Sequence, residues 1–141
     1  MAVRAKVLRF AASIDAEGRL CAEERAPLAL PADWEAEHLL LAALVRCSLT
    51  SLGYHARRVR SNAAGTGEAA GEITKRESDG RYAFVEIRVE LDVTLDPLPE
   101  AVEELLAKAE RDCFVGASLT VTPDYRWRVN GDAVSARAAP S

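Results

Sequence analysis

Residues 34–60 constrain this chain more than any other stretch. Seven apolar residues run unbroken from Leu39 to Val45, and Cys47 follows almost at once. Asp33 stands where an N-cap belongs, and Glu35 and Glu37 put negative charge in the first turn. Arg57, Arg58 and Arg60 put positive charge in the last, so charge marks both ends of one helix. At about 1.5 Å per residue that helix is roughly 40 Å long. Its first half is apolar nearly all round, which calls for burial on more than one side. One sheet covers one side only. A second copy of the chain is the simplest cover for the other, so the expectation is an intertwined homodimer with two such helices at its centre.

Length and charge limit the alternatives. The 141 residues suit one domain with a real core. A net charge of −4 gives no reason to expect nucleic acid or an anionic membrane as partner. The longest apolar run falls short of the ~20 residues of a bilayer span. Arg4, Lys6 and Arg9 interrupt any signal-peptide core, so the expected location is cytoplasmic. Cys21, Cys47 and Cys113 are odd in number and widely spaced, unlike the disulfide framework of a small secreted domain. Together with His38 and His55 they show no metal-ligand spacing, so neither a metal nor a bound cofactor is expected.

Taken in order, residues 3–14 mix apolar and basic residues, Asp15 to Gly18 forms a turn, and residues 19–25 return as a second strand. Pro27 and Pro31 bracket a short edge piece. After the long helix, residues 61–68 read as a loop, residues 68–77 as a strand, and Ser78 to Gly80 as a hairpin turn. The clearest strand follows. Ala83, Val85, Ile87, Val89, Leu91, Val93 and Leu95 take one face, and Glu86, Arg88, Glu90 and Asp92 the other. One buried and one wet face favour an antiparallel sheet. Pro99 opens a second helix whose stripe of Val102, Leu105, Leu106 and Ala109 continues to Cys113. Residues 118–129 read as a last strand. The domain is placed at 1–130, with 131–141 as a flexible tail. Hairpin strands separated by helices make an α+β fold.

Cys47 and Cys113 are the residues that could carry chemistry. An unperturbed thiol ionises near ~8.5, and burial alone makes it less reactive. A reactive Cys47 therefore needs a cation close by, and Arg4, Arg9 and Arg19 on the first hairpin are the available ones. The bland alternative is that both cysteines are buried small hydrophobes.

Two segments carry a resemblance. Residues 37–48, from Glu37-His38-Leu39 to Val45-Arg46-Cys47-Ser48, resemble the central-helix motif of the OsmC/Ohr family, the osmotically inducible and organic hydroperoxide resistance proteins. The family's Glu stands ten residues before its Cys, as Glu37 stands before Cys47. Residues 109–119, around Cys113, are similar to the family's second-cysteine segment. The chain departs from the pattern in three places. Trp34-Glu35-Ala36 replaces an Asn-Pro, Cys113-Phe114 replaces Cys-Pro, and the first-turn Arg is displaced from near Ala16 to Arg19.

The resemblance implies an OsmC-like α+β fold, with antiparallel sheets wrapped around long central helices in an intertwined homodimer. It implies a thiol peroxidase that reduces a small organic hydroperoxide, with Cys47 peroxidatic, Cys113 resolving, and Glu37 and an Arg, here Arg19, charging the site. The reductant it implies is an external dithiol or lipoyl group. Leu40, Leu44 and Phe114 would line an apolar site. Glu37 and Cys47 are ~15 Å apart along one helix, so a shared site requires antiparallel central helices and Glu37 from the other subunit. The alternative is an OsmC-like dimer that binds a small hydrophobic ligand or senses redox state without turnover.

Overall fold

The computed structural model describes residues 4–136, in two compact units that divide between Glu35 and Ala36. In the first unit, β1 (Ala12–Ile14) pairs antiparallel with β2 (Leu20–Ala22). The turn is the expected one. Gly18 donates its N–H to the Asp15 carbonyl at 3.0 Å and adopts φ +79°, a conformation open to glycine. The strands are much shorter than the expected 3–14 and 19–25. Residues 4–11 carry no regular structure, and Val3 lies outside the described residues. Val7, Leu8 and Phe10 are exposed, so no buried face holds that segment in a sheet. The edge piece between Pro27 and Pro31 is a single bridge, Leu28 to Leu20.

The second unit opens with α1 (Ala36–Arg58). The helix begins three residues after Asp33, so Asp33 lies ahead of the cap position. Next come β3 (Asn62–Lys75), β4 (Tyr82–Asp96), α2 (Val102–Arg111), the single turn α3 (Phe114–Ala117), β5 (Asp124–Val129) and β6 (Asp132–Val134). The strands form one sheet in the order β3-β4-β5-β6. This is the mixed α+β architecture expected, with one correction: β5 runs parallel to β4. The α2–α3 crossover carries the chain back to the end of the sheet where β4 began, and a crossover of that length joins parallel neighbours.

Three further elements differ from the sequence reading. The expected loop at 61–68 is the first half of β3, paired residue for residue with β4 from Asn62↔Asp96. Its glycines serve packing. A Cβ on Gly67 would lie 2.5 Å from Leu91 Cδ2 and 3.0 Å from Val45 of α1, so the helix can approach this strand only over glycine. The last strand begins at Asp124 rather than at 118. The expected free tail contributes β6, closed by a two-residue Asn130-Gly131 hairpin turn with φ of 49° and 90°. Asn130 also bonds Leu95 through its side chain, accepting from the Leu95 N–H at 2.9 Å and donating to its carbonyl at 3.1 Å.

The core lies between α1, α2 and one face of the sheet. β4 supplies Ile87, Val89, Leu91, Val93 and Leu95, in the alternation read from the sequence. From the helices come Leu44, Leu52, Ala56, Leu105, Leu106 and Ala109, and from β5 Trp127 and Val129. Only one face of α1 is buried, marked by Leu44, Ser48, Ser51, Leu52 and Ala56. Ala42 and Ala43 on another face are exposed. By length and mean hydropathy, 1.3 over its best window, α1 is apolar enough to cross a membrane, against the expectation drawn from the unbroken run. Here its buried face packs on β3 and α2.

Candidate functional site

The long apolar face of α1 delivers Cys47 to the chain between α2 and α3. Two bonds fix that junction against the helix, and a third interaction braces it from within. Ser51 Oγ donates to the Ala109 carbonyl at 2.8 Å. His55 Nε2 meets Asp112 Oδ2 at 2.8 Å. Arg111 holds the same carboxylate with contacts of 2.9 and 3.0 Å. α2 ends at Arg111, where the Asp112 N–H donates to the Lys108 carbonyl, and the chain then straightens at Cys113 (φ −74°, ψ 110°). Cys113 is therefore not the last residue of the α2 stripe, as its spacing implied. It is the cap of α3, accepting the Gly116 N–H on Sγ at 3.4 Å. The break in the helix turns its side chain inward, and the residue is 0% exposed.

Both cysteines are free thiols, and successive N–H groups of α3 donate to them, Val115 to Cys47 and Gly116 to Cys113. Cys47 is half-buried. Its Sγ accepts the Val115 N–H at 3.5 Å. Burial pushes the Cys47 thiol up, and the neighbouring Cys113 adds to this. The N–H groups of Val115 and Phe114 act in the opposite direction, because they favour the thiolate. Behind the pair stand two hydroxyls the sequence reading missed. Ser48 Oγ donates to the Leu44 carbonyl at 2.8 Å, lies 3.7 Å from Cys113 Sγ, and is 3.1 Å from Tyr125 Oη. Burial raises the Tyr125 phenol, so it stays protonated. A polar residue inside an otherwise apolar helix stripe was the available signal for Ser48. Tyr125 gave none, since alternation showed only that it shares a face with Trp127.

The other expected site residues are placed elsewhere. Glu37 is exposed in the first turn of α1, about 15 Å along the helix from Cys47. Arg19 belongs to the first unit, where its Nε contacts Asp15 Oδ2 at 2.7 Å and its Nη2 contacts Glu17 at 3.6 Å. Of the expected lining, Leu40 is half-buried and Phe114 is 62% exposed, whereas Leu44 is fully buried in the core. Cys21 sits on β2 with Sγ 3.9 Å from Asp15 Oδ2. Among the described residues no group of three or more His, Cys, Asp or Glu side chains could hold a metal ion.

Known proteins share this architecture. The model of the family described as OsmC-like protein matches residues 31–127. An OsmC-like protein from Mycoplasma pneumoniae superposes with a TM-score of 0.65 at 15% identity, over 88% of this chain and 97% of that one. An organic hydroperoxide resistance protein, OhrB of Bacillus subtilis, gives 0.52 at 20% identity, over 86% and 96%. An OsmC-like protein of unknown function from Vibrio cholerae gives 0.62 at 18%, over 84% of each chain. At these identities the superpositions speak to the fold. No curated protein matches the sequence. The family match spans well over half of the chain, and the chain belongs to the OsmC-like family.

Proposed function

We propose that this OsmC-like protein is a thiol-dependent peroxidase that reduces organic hydroperoxides. The observation that carries the proposal is the pairing of a half-buried Cys47 with a fully buried Cys113 on adjacent N–H groups of one turn, Val115 at 3.5 Å and Gly116 at 3.4 Å. Two sulfurs so placed, one open to a small molecule and one behind it, suit a two-step thiol cycle. The family's hydroperoxide-resistance members support the same reading.

In the first step the Cys47 thiolate attacks the O–O bond. An S–O bond forms, the O–O bond breaks, and the alcohol leaves as alkoxide and takes a proton. Cys47 is then a sulfenic acid, with the Val115 N–H beside its sulfur. In the second step Cys113 attacks Cys47 Sγ. An S–S bond forms, the S–O bond breaks, and water leaves with the thiol proton. An external dithiol, lipoyl groups among them, reduces the disulfide by thiol exchange. Exposed Phe114, next to Cys113, and half-buried Leu40, on the same helix as Cys47, favour an organic peroxide over hydrogen peroxide.

The thiol of Cys47 is raised by burial, so the first step needs a cation. Arg19 is assigned that role, with Glu37 orienting it, in an intertwined homodimer. The exposed Ala42 and Ala43 are surface for a second α1. Antiparallel crossing of the two helices brings Glu37 of one subunit toward Cys47 of the other, because the two residues are too far apart along one helix to meet. A second reading rests on the same raised thiol: a dimer that binds a hydrophobic ligand or senses redox state without turnover.

Peroxide consumption under a dithiol separates the two readings. Reduced wild type, Cys47→Ser and Cys113→Ser are mixed with cumene hydroperoxide or hydrogen peroxide. Turnover of cumene hydroperoxide that disappears in Cys47→Ser supports the peroxidase. Wild-type rates equal to the Cys47→Ser background would leave the binding or sensing role.

A further inference from the structure

We propose that Ser48 and Tyr125 are positioning residues for Cys113, a hydroxyl pair that stabilises its thiolate before the disulfide closes. The inference rests on the two-cysteine reading above and adds residues to its second step.

The proton count at the site leads there. Ser48 Oγ has one proton and Tyr125 Oη has one. In the resting arrangement Ser48 donates to the Leu44 carbonyl at 2.8 Å, and Tyr125 can donate to Ser48 at 3.1 Å. Ser48 Oγ is also 3.7 Å from Cys113 Sγ, within reach of a sulfur acceptor, and so stands between that sulfur and Tyr125 Oη. Two of the three polar atoms, Tyr125 Oη and Cys113 Sγ, converge at Gly116. A side chain there would lie 3.4 Å from Tyr125 Oη and 3.5 Å from Cys113 Sγ. Cys113 and Ser48 are both 0% exposed, so water does not readily take the place of the Ser48 hydroxyl at Cys113 Sγ.

A neutral Cys113 thiol needs none of these donors. A thiolate there does. Cys113 attacks as a thiolate: it gives up its proton before the S–S bond forms, and until then the charge sits on a sulfur shut away from solvent. As the S–S bond forms and the S–O bond of Cys47 breaks, that charge passes to the departing hydroxide, which takes up a proton and leaves as water. Rotation of either hydroxyl by one torsion turns its O–H from an oxygen acceptor to that sulfur. The Gly116 N–H is a fixed donor already in place at 3.4 Å. Charge on a buried atom met by two or three donors costs far less than charge met by none. Ser48 follows Cys47 directly, so the same helical turn presents the attacked sulfur and one donor for the attacker. Tyr125 is held in place by stacking on Trp127, with ring centroids 6.0 Å apart. Trp127 in turn donates its indole N–H to Glu110 at 2.8 Å.

The test uses Ser48→Ala and Tyr125→Phe, each in a Cys21→Ser background that removes the third thiol. Cys47 is first converted to a mixed disulfide with a thiopyridyl reagent. Cys113 then displaces the coloured thiopyridone, which times disulfide closure without any peroxide. Both variants are expected to close about tenfold more slowly than wild type, with the pH profile of closure displaced upward. Closure at the wild-type rate with the wild-type pH profile in both variants would overturn the proposal. A merely structural role does not move the pH profile, and unfolding temperatures measured alongside identify a variant that is simply loosened. Should cumene hydroperoxide leave Cys47 reduced while closure still slows in the variants, the peroxidase reading fails and the hydroxyl pair stands.

Discussion

His55 Nε2 and Asp112 Oδ2 meet at 2.8 Å, a bond that ties the last third of α1 to the residue immediately before Cys113. Together with the Ser51 bond to Ala109 it sets where the second cysteine stands relative to the first. Bonds to Arg111 first, and to His55 second, hold the Asp112 carboxyl below its ordinary value of 3.8. A carboxyl lowered by folding stabilises the native state above its unfolded pKa and loses that contribution as pH falls through the folded one. The Asp112 side chain is 38% exposed, so solvent screening keeps the effect small. Asp112→Asn is expected to lower stability at neutral pH by at most about 1 kcal/mol. The difference from wild type should shrink as pH falls below 3.8, which urea unfolding at neutral and acid pH measures.

Two glycines of β3 offer a graded test of how α1 seats on the sheet. An added Cβ at Gly67 meets the far end of the Leu91 side chain at 2.5 Å, and one at Gly65 meets the Asp92 carbonyl oxygen at 2.5 Å. A leucine methyl can rotate away, whereas a paired backbone carbonyl cannot. Gly67→Ala should cost about 1–3 kcal/mol, and Gly65→Ala more. Thermal unfolding of the two variants gives the order, and the reverse order contradicts the packing described for this strand.

At the Asn130-Gly131 turn the side chain holds both polar groups of Leu95 while the backbone sits at φ 49°. Asn130→Ala loses the bonds and strains the backbone, and should cost about 1–3 kcal/mol. Asn130→Gly relieves the backbone but not the bonds, so it should recover part of the loss.

The sequence made the skeleton legible wherever a strong period met a long element. β4 alternates over its whole buried half, and α1 carries charge at both ends, so both lie close to their expected places. The failures have local causes. Gly65 and Gly67 look like a loop because strand propensity ignores close neighbours; Val45 of α1 and Leu91 supply the reason for Gly67, and Asp92 and Val93 of β4 the reason for Gly65. Asn130-Gly131 is a strong hairpin signal that was read as the start of a tail. Cys113 followed a true helical stripe, but periodicity is blind to a break of one residue. The resemblance singles out Cys47 and Cys113, and in the fold adjacent N–H groups of α3 donate to the two sulfurs. Ser48 and Tyr125 were not, because their role arises from contacts between residues far apart in the chain.

Activation of Cys47 is the next question. Burial raises its thiol, so at neutral pH a cation must offset that rise before the first step is fast. Under the proposed dimer, Arg19→Ala leaves the raised thiol uncompensated. The rate of peroxide reduction should then fall about tenfold for each unit of pKa restored, with its pH profile displaced upward. Glu37→Gln should lower the rate while leaving the protein folded, because Glu37 is exposed at the start of α1. Rates and pH profiles unchanged in both variants would remove these residues from the site.

The most direct measurement is the mass of the cysteine-linked peptides after one equivalent of cumene hydroperoxide is added to the reduced protein. The account predicts loss of two thiols and a peptide pair joined through Cys47 and Cys113. It predicts that Cys113→Ser instead accumulates sulfenic acid on Cys47, and that Cys47→Ser leaves the peroxide unconsumed. Both thiols intact after exposure, or oxidation that spares Cys47, would contradict it.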